Sequence, residues 1–197
     1  DGWRGKIPCY SVMLGGGVHM VDLLLWLTGD RVTEVAAFGT DIASRGSRFR
    51  HDDTVVAMLR FASGMVGKVA ANFPCVHPHF HGLAVYGTTG TFINGADHAL
   101  LHTSRSAGAV PEVIRDPYPG THKGDLIYSF VESILHDTDP EVSADDVFDA
   151  MRVCFAIEQA ARTGAVVTVV SDEGFRHGTR DTLRQADYRQ PGKAGCA

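Results

Sequence analysis

The chain has 197 residues, a formal net charge of −5 and a hydrophobic content of 44%, which is typical of a globular protein with one large or two small domains. Lys and Arg form no cluster that would bind nucleic acid or an anionic membrane, and the longest strictly apolar run, Leu23 to Leu27, is far shorter than the roughly 20 residues of a membrane span. We therefore expect no nucleic-acid or membrane partner. The four cysteines form no CxxC pair, so a cytoplasmic location is the default expectation.

The first predicted helix contains the most informative polar residues. Gly15 to Gly17 open it and Gly29 closes it, while His19 and Asp22 interrupt an otherwise apolar segment and share a helical face. Because an imidazole exchanges protons near neutral pH, His19 is a candidate acid or base. The alternative is a core histidine that is hydrogen-bonded to a neighbour. Asp22 is either an orienting partner or a structural carboxylate.

Period-two alternation predicts a series of strands after this helix. They cover residues 31–41, 54–61, 65–73, 83–86, 91–93 and 99–103. The short links that contain glycine predict two antiparallel hairpins. The strand over 54–61 is apolar on both sides, which predicts a partner subunit or domain against one face.

The apolar period then changes to about 3.6, which predicts two helices. Ile127, Phe130, Val131, Ile134 and Leu135 form the stripe of the first, and a capping box at Ser143 begins the second. A last strand follows at 165–170. We therefore predict an α+β domain over residues 1–170, with helices packed on one face of a largely antiparallel sheet, and a peripheral tail over 171–197.

Three further histidine-containing segments are candidates for chemistry. His77, His79 and His81 would share one face of an extended strand and could bind zinc or copper; the alternative is a solvated strand edge with one residue touching substrate. His122 lies at a predicted helix start, where anions bind, or it faces solvent. His51 to Asp53 are interpreted as turn residues rather than a cation site.

The sequence contains no nucleotide-binding motif. No GxGxxG follows a strand, and Gly15 to Gly17 follow no β pattern of that type. We therefore expect no Rossmann domain in this chain, no cofactor-binding residue and no metal site.

Taken together, the residues from Gly15 to Gly29, Asp53-Thr54, Leu59 to Gly64, Val85 to Thr91 and the late helix 144–164 resemble the C-terminal domain of the glucose-fructose oxidoreductase, inositol dehydrogenase and MocA family. The resemblance covers about residues 3 to 170. It implies a fold like the C-terminal domain of glyceraldehyde-3-phosphate dehydrogenase. It also implies a sugar or polyol substrate, and NAD or NADP held by a separate Rossmann domain in the full-length architecture. In the family pattern an Asp four residues before the His assists it, and Gly15 stands at that position.

Two functions from different classes follow from this resemblance. The first is the substrate-binding and oligomerising domain of such an oxidoreductase, with His19 as catalytic residue, His19, His79 and His122 as substrate-binding residues, and a homo-oligomer formed through the sheet face. That domain would be catalytically silent alone. The second is a non-catalytic sugar-binding or assembly module with the same fold. A small metalloprotein that uses His77, His79 and His81 is the third candidate.

Overall fold

A computed structural model describes residues 3–7, 10–116 and 124–170. Its strands, numbered in chain order, are β1 (Val32–Thr40), β2 (Thr54–Phe61), β3 (Val66–Asn72), β4 (Ala84–Tyr86), β5 (Thr91–Asn94), β6 (Ala99–His102), β7 (Glu112–Ile114) and β8 (Val167–Thr168). The α-helices are α1 (Val18–Thr28), α2 (Asp125–His136) and α3 (Ala144–Thr163). The chain also forms a 3-10 turn at Trp3–Lys6 and a π-helical turn at Met13–Gly17. The predicted tail over 171–197 lies outside the described residues.

The strands form two four-stranded antiparallel sheets. The first has the order β3-β2-β1-β8 and the second the order β4-β5-β6-β7. The sequence predicted one sheet and did not predict β7; of the last predicted strand, residues 165–170, only Val167–Thr168 are paired, against Glu34 and Val35 of β1. Both predicted hairpins are confirmed, since β2 pairs with β3 and β4 pairs with β5 in antiparallel register. The α+β class is confirmed.

The hydrophobic core lies between the inner face of the first sheet and the helices α1 and α3. Alternate residues of β2 point inward, so Leu59 is 1% exposed, and Ile157 on α3 is 0% exposed. Burying a side chain of this size stabilises the fold by about 1.5–3 kcal/mol. Cys154 is also fully buried, and burial followed by the nearby Glu158 raises the pKa of its thiol to about 12. Cys154 therefore packs as a small residue of the core.

The helix ends follow the chemistry of their sequence. Gly29 and Gly164 adopt left-handed φ values of 59° and 68° at the C-termini of α1 and α3, a conformation that glycine adopts without steric cost. Ser143 caps α3, and its hydroxyl accepts a hydrogen bond from the Asp146 amide while the Asp146 carboxylate accepts from the Ser143 amide. The predicted capping box is therefore confirmed.

Two apolar surfaces remain exposed within the described part. The outer face of the first sheet presents Phe38, Val56 and Met58, which the register of β1 and β2 places side by side. On α2, the predicted apolar stripe is present but stays more than 40% exposed. No helix in the described ranges is long and apolar enough to cross a membrane.

Candidate functional site

The polypeptide enters α1 through the π-helical turn Met13–Gly17. Ser11 begins this turn, since its side-chain oxygen accepts hydrogen bonds from the amides of Met13 and Leu14 at 3.0 and 3.1 Å. The same hydroxyl donates to the carboxylate of Glu158 on α3. The helical segment therefore begins before the predicted glycine triplet and is fixed to α3 by a buried serine. Single π-turns of this kind occur frequently at functional sites.

Gly15 provides space for Tyr10. A Cβ atom at position 15 would overlap the Tyr10 hydroxyl oxygen and ring edge, whereas a Cβ at Gly16 would meet only the Phe73 ring at 3.6 Å. The Tyr10 ring packs against Phe49 and Phe73, with centroids 5.8 and 5.9 Å apart. At the position where the family pattern has an Asp side chain, this chain therefore places the phenol of Tyr10.

This packing predicts opposite effects for two adjacent glycines. Gly15→Ala forces the Tyr10 ring out of its aromatic cluster and should lower the free energy of unfolding by about 1–3 kcal/mol. Gly16→Ala creates only an ordinary contact and gains helix propensity, so it should be neutral or stabilise by up to about 1 kcal/mol. Urea denaturation measures both. Equal effects of the two substitutions would contradict the packing of Tyr10 against Gly15.

The structure brings His19 together with two histidines that follow β3. The His19 ring lies 5.8 Å from the His81 ring, and the His81 ring lies 4.9 Å from that of His79, in an edge-to-face arrangement (centroid distances). His77 instead lies 6.2 Å from Phe80. The segment is a loop rather than the expected extended strand, and the three histidines do not act as one row. We call His19, His79 and His81 the histidine cluster.

The histidine cluster is exposed to solvent, so the alternative of a core histidine does not hold for His19. Among the described residues, no group of three or more His, Cys, Asp or Glu side chains is arranged to hold a metal ion. His122 lies outside the described residues, and its predicted role stays a prediction. Sequence reasoning did not select Tyr10 as a site residue, because nothing local indicates that it packs against Gly15.

Asp22 faces a different feature from His19. It lines a cavity of about 620 Å³ between the end of α1, the start of α3 and Val169-Val170, together with Trp26 and Asp149. The histidine cluster does not line this cavity. The sequence predicted that His19 and Asp22 share one helical face. In the structure, Asp22 lines the cavity and His19 lies beside His81 instead.

The acidic pair before β2 has a structural role. Asp53 is 4% exposed, and its carboxylate accepts hydrogen bonds from the Ser44 amide at 2.7 Å and the Thr54 hydroxyl at 3.1 Å. Burial by itself raises the pKa of Asp53, but the hydrogen bonds from Ser44 and Thr54 outweigh it and hold the pKa below its ordinary value. For neighbouring Asp52, burial and then the charges of Asp41 and Asp53 raise the pKa.

The glycine triplet does not form a phosphate-binding loop. A dinucleotide loop follows a strand and leaves space for the pyrophosphate against backbone amides. Here the triplet lies inside a helical turn, and the spaces beside Gly15 and Gly17 are filled by the side chains of Tyr10 and Met13. These residues do not fit a nicotinamide dinucleotide.

The structure shows an α+β domain with a solvent-facing histidine at the start of its first long helix. Comparison with known proteins shows which proteins it is similar to. The model of the GFO/IDH/MocA C-terminal domain matches residues 1–93. This stretch, a little under half of the chain, therefore matches the C-terminal domain that the sequence resemblance predicted. No curated protein matches the sequence.

Solved structures share the fold. An NAD-binding protein from Listeria innocua superposes with a TM-score of 0.66 at 22% identity, covering 90% of this chain and 53% of its own. Levoglucosan dehydrogenase in complex with NADH and L-sorbose gives a TM-score of 0.71 at 20% identity, covering 87% of this chain and 54% of its own. An oxidoreductase domain protein from Kribbella flavida gives 0.62 at 20% identity, covering 79% and 49%. This chain thus spans about half the length of these structures.

Proposed function

We propose that this chain is the substrate-binding and oligomerisation domain of an NAD(P)-dependent oxidoreductase that acts on a sugar or polyol. One observation carries the proposal. The histidine that matches the family motif, His19, is exposed at the start of α1 and contacts His81 of the histidine cluster. The glycine-lined side of the same helix turn meets the rings of Tyr10 and Phe73.

This arrangement suits a polyhydroxylated ligand. Small-molecule sites combine aromatic or apolar walls with a few polar groups that fix orientation, and a neutral imidazole offers one donor and one acceptor. His19 would exchange the proton of the substrate hydroxyl, and His79 would donate or accept a further hydrogen bond. The named substrate and ligand of one solved neighbour, levoglucosan and L-sorbose, are of this chemical class.

In the full-length architecture that the resemblance implies, a nicotinamide cofactor would supply the hydride chemistry and a separate Rossmann domain would hold it. The region around His19 provides no dinucleotide site, because its glycines are packed against side chains. The contribution of the described residues is to bind and orient the substrate and to hold a proton at the His19 ring.

Ligand binding to the chain itself tests this proposal. Levoglucosan and L-sorbose should shift the ring resonances of His19 and Phe73 in NMR spectra, with the weak affinity of an incomplete site, on the order of millimolar or about −4 kcal/mol. His19→Ala should weaken this binding and His77→Ala should not, because the His77 ring contacts Phe80 instead. Tight binding of NADH by the chain, measured by fluorescence, would contradict the proposal that the cofactor site lies in a separate domain.

A second candidate is a non-catalytic sugar-binding or assembly module. The replacement of the family's Asp by Gly15, with Tyr10 packed into that space, favours it, since His19 then lacks the carboxylate that assists it in the family pattern. Such a module would bind the same ligands without turnover, so kinetic measurement on a complete enzyme separates the two candidates.

A further inference from the structure

His81 is the residue of the histidine cluster that touches both of the others. Its ring centroid lies 5.8 Å from that of His19 on α1 and 4.9 Å from that of His79 in its own loop. His19 and His81 are far apart in the sequence, and only the fold brings them together. His81 is therefore the loop histidine whose ring lies next to that of His19.

The backbone at His81 is fixed by the second sheet. Asn94 at the end of β5 donates a side-chain hydrogen bond to the His81 carbonyl at 2.9 Å and accepts one from the Leu83 amide at 2.5 Å. The Asn94 amide also donates to the Leu83 carbonyl at 3.0 Å. Through these bonds one side chain clamps both sides of Gly82, so the loop presents His81 to α1 from a defined position.

Charge within the cluster favours a neutral His81. Burial, followed by the neighbouring His79 and His19, lowers the pKa of His81. These two imidazoles are the ionisable groups among the described residues that bear on the His81 ring, one from its own loop and one from α1. Two imidazolium ions at this separation repel each other, which favours the neutral form of the His81 ring.

We propose that His81 is a positioning residue for His19, whose ring holds the His19 ring at the substrate face while His19 exchanges the substrate proton. The inference rests on the proposed function for the role of His19. The contact between the His19 and His81 rings is a property of this chain and does not depend on that function. Asn94 supports the arrangement by fixing the loop.

Histidine titration in the intact chain tests the positioning role without any activity. The ring Cε1–Hε1 resonances of His19, His79 and His81 are followed by NMR across pH 4 to 9. In His19→Phe, which keeps a ring but removes the charge, the pKa of His81 should rise by about half a unit, the Coulomb effect of one charge about 6 Å away in water-like surroundings. His77→Phe is the matched control and should leave the pKa of His81 unchanged.

A second variant reports position rather than charge. His81→Ala should remove the nuclear Overhauser contact between the rings and change the His19 ring resonance at pH 8, a pH at which an ordinary imidazole is largely neutral. His81→Phe should retain a ring contact. An unchanged pKa of His81 in His19→Phe, or an unchanged His19 resonance in His81→Ala, would overturn the proposal. Neither result would bear on sugar binding or turnover. The failure of the positioning role can therefore be told apart from the failure of the proposed function, which the binding and kinetic measurements test.

Discussion

Replacing His19 by alanine should lower kcat of the oxidoreductase that we propose by about 10²–10⁴-fold, the usual contribution of a positioned general acid or base. We expect this loss because His19 is the histidine that resembles the family motif. It is also exposed at the start of α1, with its ring beside that of His81. The measurement is sugar-dependent reduction of NAD(P), with this chain joined to an NAD(P)-binding domain of the family.

The matched control for this experiment is His77→Ala. His77 lies in the same loop as His79 and His81, but its ring faces Phe80 and its Nδ1 lies 2.7 Å from the Pro78 carbonyl. We expect kcat of this variant to match that of the unsubstituted enzyme. If His19→Ala retained full turnover, the general acid or base would lie elsewhere; absence of turnover in the unsubstituted enzyme would favour the non-catalytic module.

Replacing Val56 by glutamate should dissociate the oligomer that we propose to form through the first sheet. Val56 is 40% exposed on the outer face, and its cross-strand neighbours are Phe38 and Ala70. An interface there would bury a carboxylate among apolar side chains, and leaving a charge unpaired in such a place costs several kcal/mol. Analytical ultracentrifugation should show a dimer or larger assembly for the unsubstituted chain and a monomer for Val56→Glu.

The second sheet provides the control for the oligomer. Val113 on β7 is 48% exposed, so Val113→Glu introduces the same charge at a similar exposure on a different sheet. We expect this variant to keep the mass of the unsubstituted assembly. A monomeric unsubstituted chain, or a Val56→Glu variant that stays assembled, would contradict an interface through the outer face of the first sheet.

The predicted strands and helices depended on local patterns, and most of them are confirmed. The alternation in β2 predicted two apolar faces, and one is buried while Val56 and Met58 on the other are exposed. Gly29 and Ser143 marked the helix ends because a left-handed glycine and a capping serine act within a few residues of their own position. The family resemblance was also predicted from the sequence, through the segment around His19, and the family model matches residues 1–93.

The start of the first helix was predicted less well. The helical segment begins at Val12, directly after Ser11, and passes through a π-turn before α1. Ser11 is hydrogen-bonded to Glu158 of α3, a partner that no local pattern indicates.

The sequence by itself determined the fold class, the order of the helices and of most strands, and the choice of His19 as the histidine that resembles the family motif, because those properties follow from periodicity, turn chemistry and motif. The tertiary structure decided the surroundings of that histidine. Only the folded chain places Tyr10 beside Gly15, separates Asp22 from His19 and brings His81 next to the His19 ring. The physical reason is that contacts between side chains of different elements depend on how those elements pack. Hydrophobic patterning specifies which face of a helix or strand is buried, but it does not specify which polar side chains meet at the edge of the buried face.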